Sequence, residues 1–154
     1  MRTMLMSFKP DIYKKIYNGT KIFEHRQRFP DEPIKCYMYV SSPVQAITGI
    51  IYLGKRHLLS DWKEEFKKDV SAVERICEFE ESAKYAMEIV EFQETTSVEL
   101  AMLRRDLSKF IIPQSYYYLD GTELLDYLKE HISELEVNIK HTFSDITSDM
   151  VCRH

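Results

Sequence analysis

The hydrophobic and polar positions of the first 54 residues predict a short helix followed by three strands. Pro10 stands where a first helical residue is expected, apolar residues follow it at helical spacing, and Asn18-Gly19 supplies a stop signal. Strand-like runs then occupy 21–28, 34–40 and 44–54, and apolar and polar residues alternate along the second of them. Proline-containing turns separate the three runs.

The rest of the chain alternates between predicted helices and short strands. Residues that cap helices precede four helix-like segments: Ser60, Ser71, Thr96 and Thr122. Two further strand-like runs lie at 85–92 and 115–119. The last helix is predicted at about 122–137, a polar tail follows it, and we expect the last dozen residues to be loosely held.

This order of elements is neither a regular βαβ alternation nor an all-helical bundle. Short strands with inserted and flanking helices indicate an α+β domain built on a small barrel-like sheet. The 154 residues have the length of one ordinary domain, and no internal repeat or linker divides them. We therefore expect a single domain over 1–154.

Composition narrows the class of protein. An apolar fraction of 44% and a charged fraction of 30% are typical of a soluble globular protein. No apolar run approaches the roughly 18 residues that span a bilayer, and the first ten residues make no convincing signal peptide. Three widely spaced cysteines fit a reduced compartment (Cys36, Cys77 and Cys152). We expect a cytoplasmic protein without a membrane partner.

Charge is unevenly divided along the chain. The net charge is −4, yet residues 1–57 hold ten Lys/Arg against four Asp/Glu, a balance of +6. Residues 58–154 hold eleven against twenty-one, a balance of −10. Such asymmetry indicates an anionic partner for the basic part, unless the opposite charges pair across the fold. The acidic helical half is also a candidate surface for a basic protein partner.

The run KPDIYKKIYNGTKIFEHRQRF, residues 9–29, resembles the signature of the ASCH family of the PUA-like superfamily. That signature is a short helix followed by Gly-x-Lys-x-x-Glu-x-Arg, here Gly19, Lys21, Glu24 and Arg26. The segments SSPV at 41–44, ITG at 47–49 and PQSYYYL at 113–119 are similar to later parts of the same family.

The resemblance implies a small β-barrel with a cleft beside the first helix, and binding of RNA, a nucleoside or a nucleotide. Some members are enzymes, namely metal-free amidohydrolases of N4-acetylcytidine and a ribonuclease-like protein. Lys21 matches the catalytic lysine of the amidohydrolases, but Glu24 stands where they have threonine. Lys21 and Glu24 are therefore the catalytic candidates if this protein is an enzyme.

The residue types at the motif suit an anionic, base-containing ligand. A lysine binds phosphate while protonated and acts as a base or nucleophile once its pKa falls. Arginine forms paired hydrogen bonds to phosphate, a carboxylate accepts from the exocyclic amine of cytosine, and tyrosine stacks on bases. The candidate ligand-binding residues are Lys9, Lys21, Glu24, Arg26, Arg28, Tyr39, Ser41, Lys55 and Ser115.

Whether Lys21 and Glu24 share a cleft depends on where the strand after Gly19 begins. Strict strand alternation puts Lys21 and Glu24 on opposite faces, so a shared cleft requires the turn after Gly19 to delay the pleat until about residue 23. Otherwise the run is a solvated edge strand held by surface ion pairs.

The five histidines have no metal-ligand spacing, and we expect neither a metal nor another cofactor.

Overall fold

A computed structural model describes all of residues 1–154. The elements, in chain order, are β1 (Arg2–Phe8), α1 (Pro10–Tyr17), β2 (Phe23–Arg26), β3 (Ile34–Val40), β4 (Ala46–Leu58), α2 (Leu59–Glu65), α3 (Val70–Glu80), β5 (Tyr85–Glu99), α4 (Leu100–Asp106), β6 (Tyr116–Tyr118), α5 (Glu123–His131) and β7 (Glu134–Lys140). A one-turn 3-10 helix follows at Ser148–Met150. None of the helices has the length and the apolar character that crossing a bilayer requires.

All seven strands form one mixed sheet that curls into a half-barrel. The strand order is β2-β5-β4-β3-β1-β6, and β7 also pairs with β5. Only β1 and β3 run parallel, because α1 and β2 make the crossover between them. This curled sheet with inserted and flanking helices confirms the expected α+β, PUA-like fold class.

Both faces of the sheet are buried. Along β3, Ile34 and Met38 lie in a cluster with Ile16 of α1, whereas Tyr37 and Tyr39 lie in a cluster covered by α4 and α5. The alternation predicted for 34–40 is therefore present, but its nominally polar face is also part of a core. Each face thus has its own layer of helices.

A third cluster lies under α2 and α3. It joins Phe23 of β2 and Trp62 and Ile76 of the helices to Val151 and Cys152 near the end of the chain. Val151 and Cys152 are fully buried, so the prediction of a loosely held tail is wrong. The polar composition of 138–154 concealed these two anchoring residues.

Two strands have no counterpart among the predicted elements. In β1, Met4, Leu5 and Met6 are all fully buried, so the strand lacks the alternation that marks a half-buried strand. β7 lies where the last helix was expected to continue to about 137. That helix ends at His131, and β7 then pairs with β5. Leu135, which falls within the predicted helix, lies in β7 and is 45% exposed.

The helix starts were predicted with mixed success. The Thr122 hydroxyl accepts from Leu125 N at 3.2 Å, which confirms that cap. The α3 helix is capped by Asp69 rather than Ser71, and α2 begins at Leu59 without a side-chain cap. Thr96 lies inside β5, because pairing with β4 extends that strand to Glu99.

Candidate functional site

The turn after α1 brings Lys21 back across the end of the helix. Gly19 adopts φ +81°, the left-handed conformation that favours glycine, and its N–H donates to Ile16 O at 3.1 Å. The N–H groups of Thr20 and Lys21 then both donate to Lys15 O at 3.0 Å. Because these bonds occupy residues 19–21, the regular pleat begins only at Phe23.

A cavity of about 710 Å³ lies between α1, β2, the end of α3 and the last residues of the chain. We call it the α1–β2 cavity. Its cationic residues are Lys9, Lys15, Lys21 and Arg153, and its acidic residues are Asp11, Glu24, Glu78 and Glu81. A smaller cavity of about 210 Å³ shares Lys15, Lys21, His25, Arg153 and His154 with it.

Lys21 is largely withdrawn from solvent and contacts a histidine. Its Nζ lies 3.3 Å from His25 Nδ1. Burial lowers the pKa of Lys21, and the nearby Glu24 carboxylate acts in the opposite direction. Lys21 and Glu24 line the same cavity, but no hydrogen bond or ion pair within 4.0 Å joins them.

Glu24 is a buried carboxylate with one oxygen engaged and one free. The residue is only 6% exposed to solvent. Oε1 accepts from His25 N at 3.1 Å and lies 3.7 Å from Arg26 Nε. Oε2 is buried and has no hydrogen-bond partner in the protein. This oxygen is an acceptor whose hydrogen bond is not made within the protein.

His25 presents the complementary donor. Burial lowers the pKa of His25 to about 3, with a smaller effect from the charge of Lys21, so the ring is neutral near pH 7. Nδ1 accepts from the Lys21 ammonium, which leaves the ring hydrogen on Nε2. Nε2 is buried without a partner, and the ring packs edge-on against Phe79 at a centroid distance of 4.6 Å.

The Arg26 guanidinium forms its hydrogen bonds with other parts of the protein. Its Nη2 donates to Ser7 O at 2.8 Å, and Nη1 lies 3.3 Å from Ser115 Oγ and 3.4 Å from Ser115 O. These contacts join the end of β2 to β1 and to the segment before β6, across the open side of the half-barrel. The guanidinium does not line the α1–β2 cavity, and Ser115 is engaged with it.

Comparison with solved structures found the ASCH protein of Zymomonas mobilis at 21% identity and a TM-score of 0.67, covering 88% of this chain and 99% of that one. Two variants of that protein also match, one with a serine replaced by alanine and one with a tyrosine replaced by phenylalanine. Their TM-scores are 0.66 and 0.62 at 20% and 19% identity, covering 86% of this chain and 97% and 100% of theirs.

The chain has the ASCH fold. At these identities the likeness extends to the fold alone. No protein-family model matches the chain, and no curated protein does either.

The ASCH fold brings only some of the expected ligand-binding residues together. Lys9, Lys21 and Glu24 line the α1–β2 cavity. Arg28 lines a separate pocket of about 420 Å³, and Lys55 lines another of about 490 Å³ beside His57.

Tyr39 and Ser41 lie away from the cavity as well. Tyr39 is 1% exposed inside a hydrophobic cluster, so it has no free face for a base to stack on. Ser41 lies in the turn after β3, where its N–H donates to Phe8 O at 2.9 Å.

Sequence reasoning missed three residues of the site: Lys15, His25 and Arg153. His25 lies within the motif and four residues after Lys21, a spacing that could have drawn attention to it. Lys15 is one of two adjacent lysines in the predicted helix, so its sequence position does not single it out. The residues around Arg153 give no sign that it lies near a motif more than 120 residues earlier. No group of three or more His, Cys, Asp or Glu side chains is arranged to hold a metal ion.

Proposed function

We propose that this ASCH-fold protein binds RNA or a nucleotide in the α1–β2 cavity through Lys21, Glu24 and His25. One observation carries the proposal. A buried acceptor, Glu24 Oε2, and a buried donor, His25 Nε2, both lack partners, and both residues line the cavity beside Lys21. A buried polar group without a partner costs about 1 to 3 kcal/mol, which a ligand that pairs with it recovers.

The mixture of groups favours a base-containing ligand over a simple anion. A carboxylate repels phosphate but accepts from the exocyclic amine of a nucleobase. The Lys21 ammonium and the His25 N–H can donate to a base carbonyl or to a phosphate oxygen. The cavity volume of about 710 Å³ also lies within the range of small-molecule sites.

The cations around this centre are available for phosphate groups. Lys9, Lys15, Lys21 and Arg153 form no ion pair within 4.0 Å, whereas two acidic residues of the cavity do: Glu24 with Arg26, and Glu78 with His154. The lining holds four cationic and four acidic side chains, so it carries no net charge even though these cations are not paired. Phosphate binding here would therefore depend on individual contacts rather than on a positively charged cavity.

Hydrolysis on the same site is the second candidate, and the lowered pKa of Lys21 favours it. A lysine amine that loses its proton can act as a base or a nucleophile. With Glu24 beside it, such an amine suits metal-free cleavage of an acylated nucleoside, such as N4-acetylcytidine, or of RNA.

Affinity measurements on matched variants test the binding proposal. We expect Lys21→Ala to weaken binding of short single-stranded RNA by on the order of 2 to 4 kcal/mol, because it removes a charge-assisted contact in a buried site. Glu24→Gln should weaken binding, because the amide oxygen stays with His25 N and an NH₂ donor replaces the acceptor Oε2. The control Lys55→Ala, in the separate pocket, should change binding by less than about 1 kcal/mol. Equal affinities for the parent and Lys21→Ala would refute the proposal.

Charge-preserving Lys21→Arg separates binding from hydrolysis. Arginine still binds an anion but does not readily lose a proton. Binding that survives while turnover of an N4-acylated cytidine or of RNA is lost would assign catalysis to the neutral amine. If neither parent nor variant turns over any of these substrates, the hydrolase candidate fails and the binding proposal stands on its affinities.

A further inference from the structure

The last residues of the chain form a fixed wall of the α1–β2 cavity. Val151 and Cys152 are fully buried in the cluster with Phe23 and Trp62. Arg75 of α3 also donates to Ser148 O at 2.7 Å and to Val151 O at 3.3 Å. The position of the residue that follows, Arg153, is therefore set by packing and by hydrogen bonds on both sides of the one-turn 3-10 helix.

Arg153 is the free guanidinium of this site. It lines both the α1–β2 cavity and the smaller cavity next to it. Its Nε donates to Asp149 O at 2.7 Å, and its two terminal nitrogens have no hydrogen-bond partner in the protein. Arg26 is the opposite case, because its terminal nitrogens are bound to Ser7 and Ser115.

The carboxylates nearest to this wall are engaged elsewhere. Glu78 Oε1 lies 3.1 Å from His154 Nε2, and the His154 ring packs on Phe79 at a centroid distance of 4.8 Å. Asp149 accepts from the Thr147 hydroxyl at 2.6 Å. Neither carboxylate lies within 4.0 Å of the Arg153 guanidinium, so its terminal nitrogens stay free of an ion pair although the charge of Arg153 acts on Asp149.

We propose that Arg153 binds the phosphate of the ligand, and that the site takes phosphorylated nucleotides or RNA in preference to free nucleosides. Guanidinium nitrogens bind two phosphate oxygens in parallel, which an ammonium cannot do. Lys15 lines the same two cavities and supplies a second positive charge. Glu24 and His25 then contact the base while Arg153 holds the phosphate. This inference rests on the proposed function of the cavity.

Paired titrations of nucleosides and their 5′-monophosphates test this assignment. We expect Arg153→Gln to weaken binding of the monophosphates about tenfold or more, the usual effect of losing a charge-assisted hydrogen bond, and binding of the nucleosides less than about twofold. Arg153→Lys should lie between the parent and the glutamine variant. Lys21→Ala should weaken both ligand classes. The control Arg104→Gln, on α4, should leave both unchanged, and thermal melting checks that each variant is folded.

The pattern of results separates failure of this inference from failure of the proposed function. Loss of both ligands in Lys21→Ala, with no change in Arg153→Gln, would overturn only the phosphate assignment. Equal weakening of nucleosides and monophosphates in Arg153→Gln would also overturn it, because Arg153 would then merely shape the wall. A parent protein that binds neither ligand class would overturn both proposals.

Discussion

At the scale of single residues, the contact between Lys21 and His25 fixes the position of two protons. The ammonium donates to Nδ1 at 3.3 Å, so the neutral imidazole carries its hydrogen on the buried Nε2. Protonation of His25 would place a second positive charge against Lys21 in a buried site, and this is one reason why its pKa falls to about 3. The free energy of unfolding of the protein therefore falls at acidic pH.

The sign and the range of this effect follow from linkage. Between an unfolded pKa of about 6.5 and a folded pKa of about 3, the unfolded chain binds a proton at His25 that the folded protein does not. The free energy of unfolding is unaffected by His25 above pH 6.5. It falls as the pH drops through this window, by up to about 1.4 kcal/mol per pH unit.

His25→Asn tests that prediction, because asparagine keeps an acceptor near Nδ1 but does not titrate. Urea denaturation from pH 7 to pH 4 should show a smaller loss of stability for His25→Asn than for the parent. The exposed control His131→Asn should follow the parent more closely. Parallel curves for parent and His25→Asn would show that His25 takes up its proton equally well in the folded state.

Arg26 gives a second prediction at this scale. Arg26→Lys loses the fork that bonds to Ser7 and Ser115 and leaves the buried Glu24 without its guanidinium neighbour. We expect a loss of about 2 to 4 kcal/mol in the free energy of unfolding, measured by urea denaturation, against little change for the neighbouring control Arg28→Lys. Unchanged stability combined with weaker ligand binding would instead make Arg26 a ligand contact.

Lys21 and Glu24 of the motif both line the α1–β2 cavity, whereas Arg26 is bound to Ser7 and Ser115. A sequence displays the charge of an arginine, but not the carbonyl oxygens that the fold brings to it. Ser7 and Ser115 lie 19 and 89 residues away from Arg26. Their contacts depend on how the half-barrel closes, which no local pattern describes.

At the scale of elements, the turn at residues 18–21 sets the geometry of the site. Gly19→Ala should cost about 1 kcal/mol of stability, because φ +81° is strained for alanine. The added Cβ would meet only ordinary contacts, the nearest being Ile139 at 3.6 Å, so the backbone is the source of the cost. Since the same turn carries Lys21, we also expect weaker RNA binding.

Gly121 offers a matched control for this prediction. It also has a positive φ, +74°, and a Cβ there would meet nothing within 4 Å. Gly121→Ala should therefore lose similar stability in thermal melting while RNA affinity stays at the parent value. If both variants keep parental affinity, the turn at Gly19 does not position the site.

Periodicity predicted the elements whose residue types alternate along the chain or whose cap is local. β3 and the Thr122 cap of α5 are of this kind. β1 was missed because its consecutive apolar residues show no alternation, and β7 because its pairing with β5 is decided by residues 39 to 49 positions away. Thr96 failed as a cap for the same reason, since pairing with β4 decides the extent of β5.

At the scale of the whole molecule, the distribution of charge predicts how binding depends on salt. For single-stranded nucleic acid, log affinity falls with log salt by about 0.7 for each phosphate contacted. Phosphate contacts by one to four of the unpaired cations of the cavity therefore predict a slope between about −0.7 and about −2.8. Fluorescence anisotropy with a short RNA at several salt concentrations measures this slope. Arg153→Gln should make it shallower by about 0.7, and a slope near zero for the parent would contradict phosphate binding.

The most direct test of the central claim is to locate the bound ligand. Backbone amide NMR spectra of isotope-labelled protein, recorded while a short single-stranded RNA is added at low salt, report each residue separately. We predict that the largest shifts occur at residues 21–25 and at Arg153, with little change at Lys55 and His57. Shifts confined to the pocket around Lys55 and His57, or to a further pocket of about 420 Å³ lined by Tyr117 and Tyr118, would contradict the assignment of the α1–β2 cavity as the binding site.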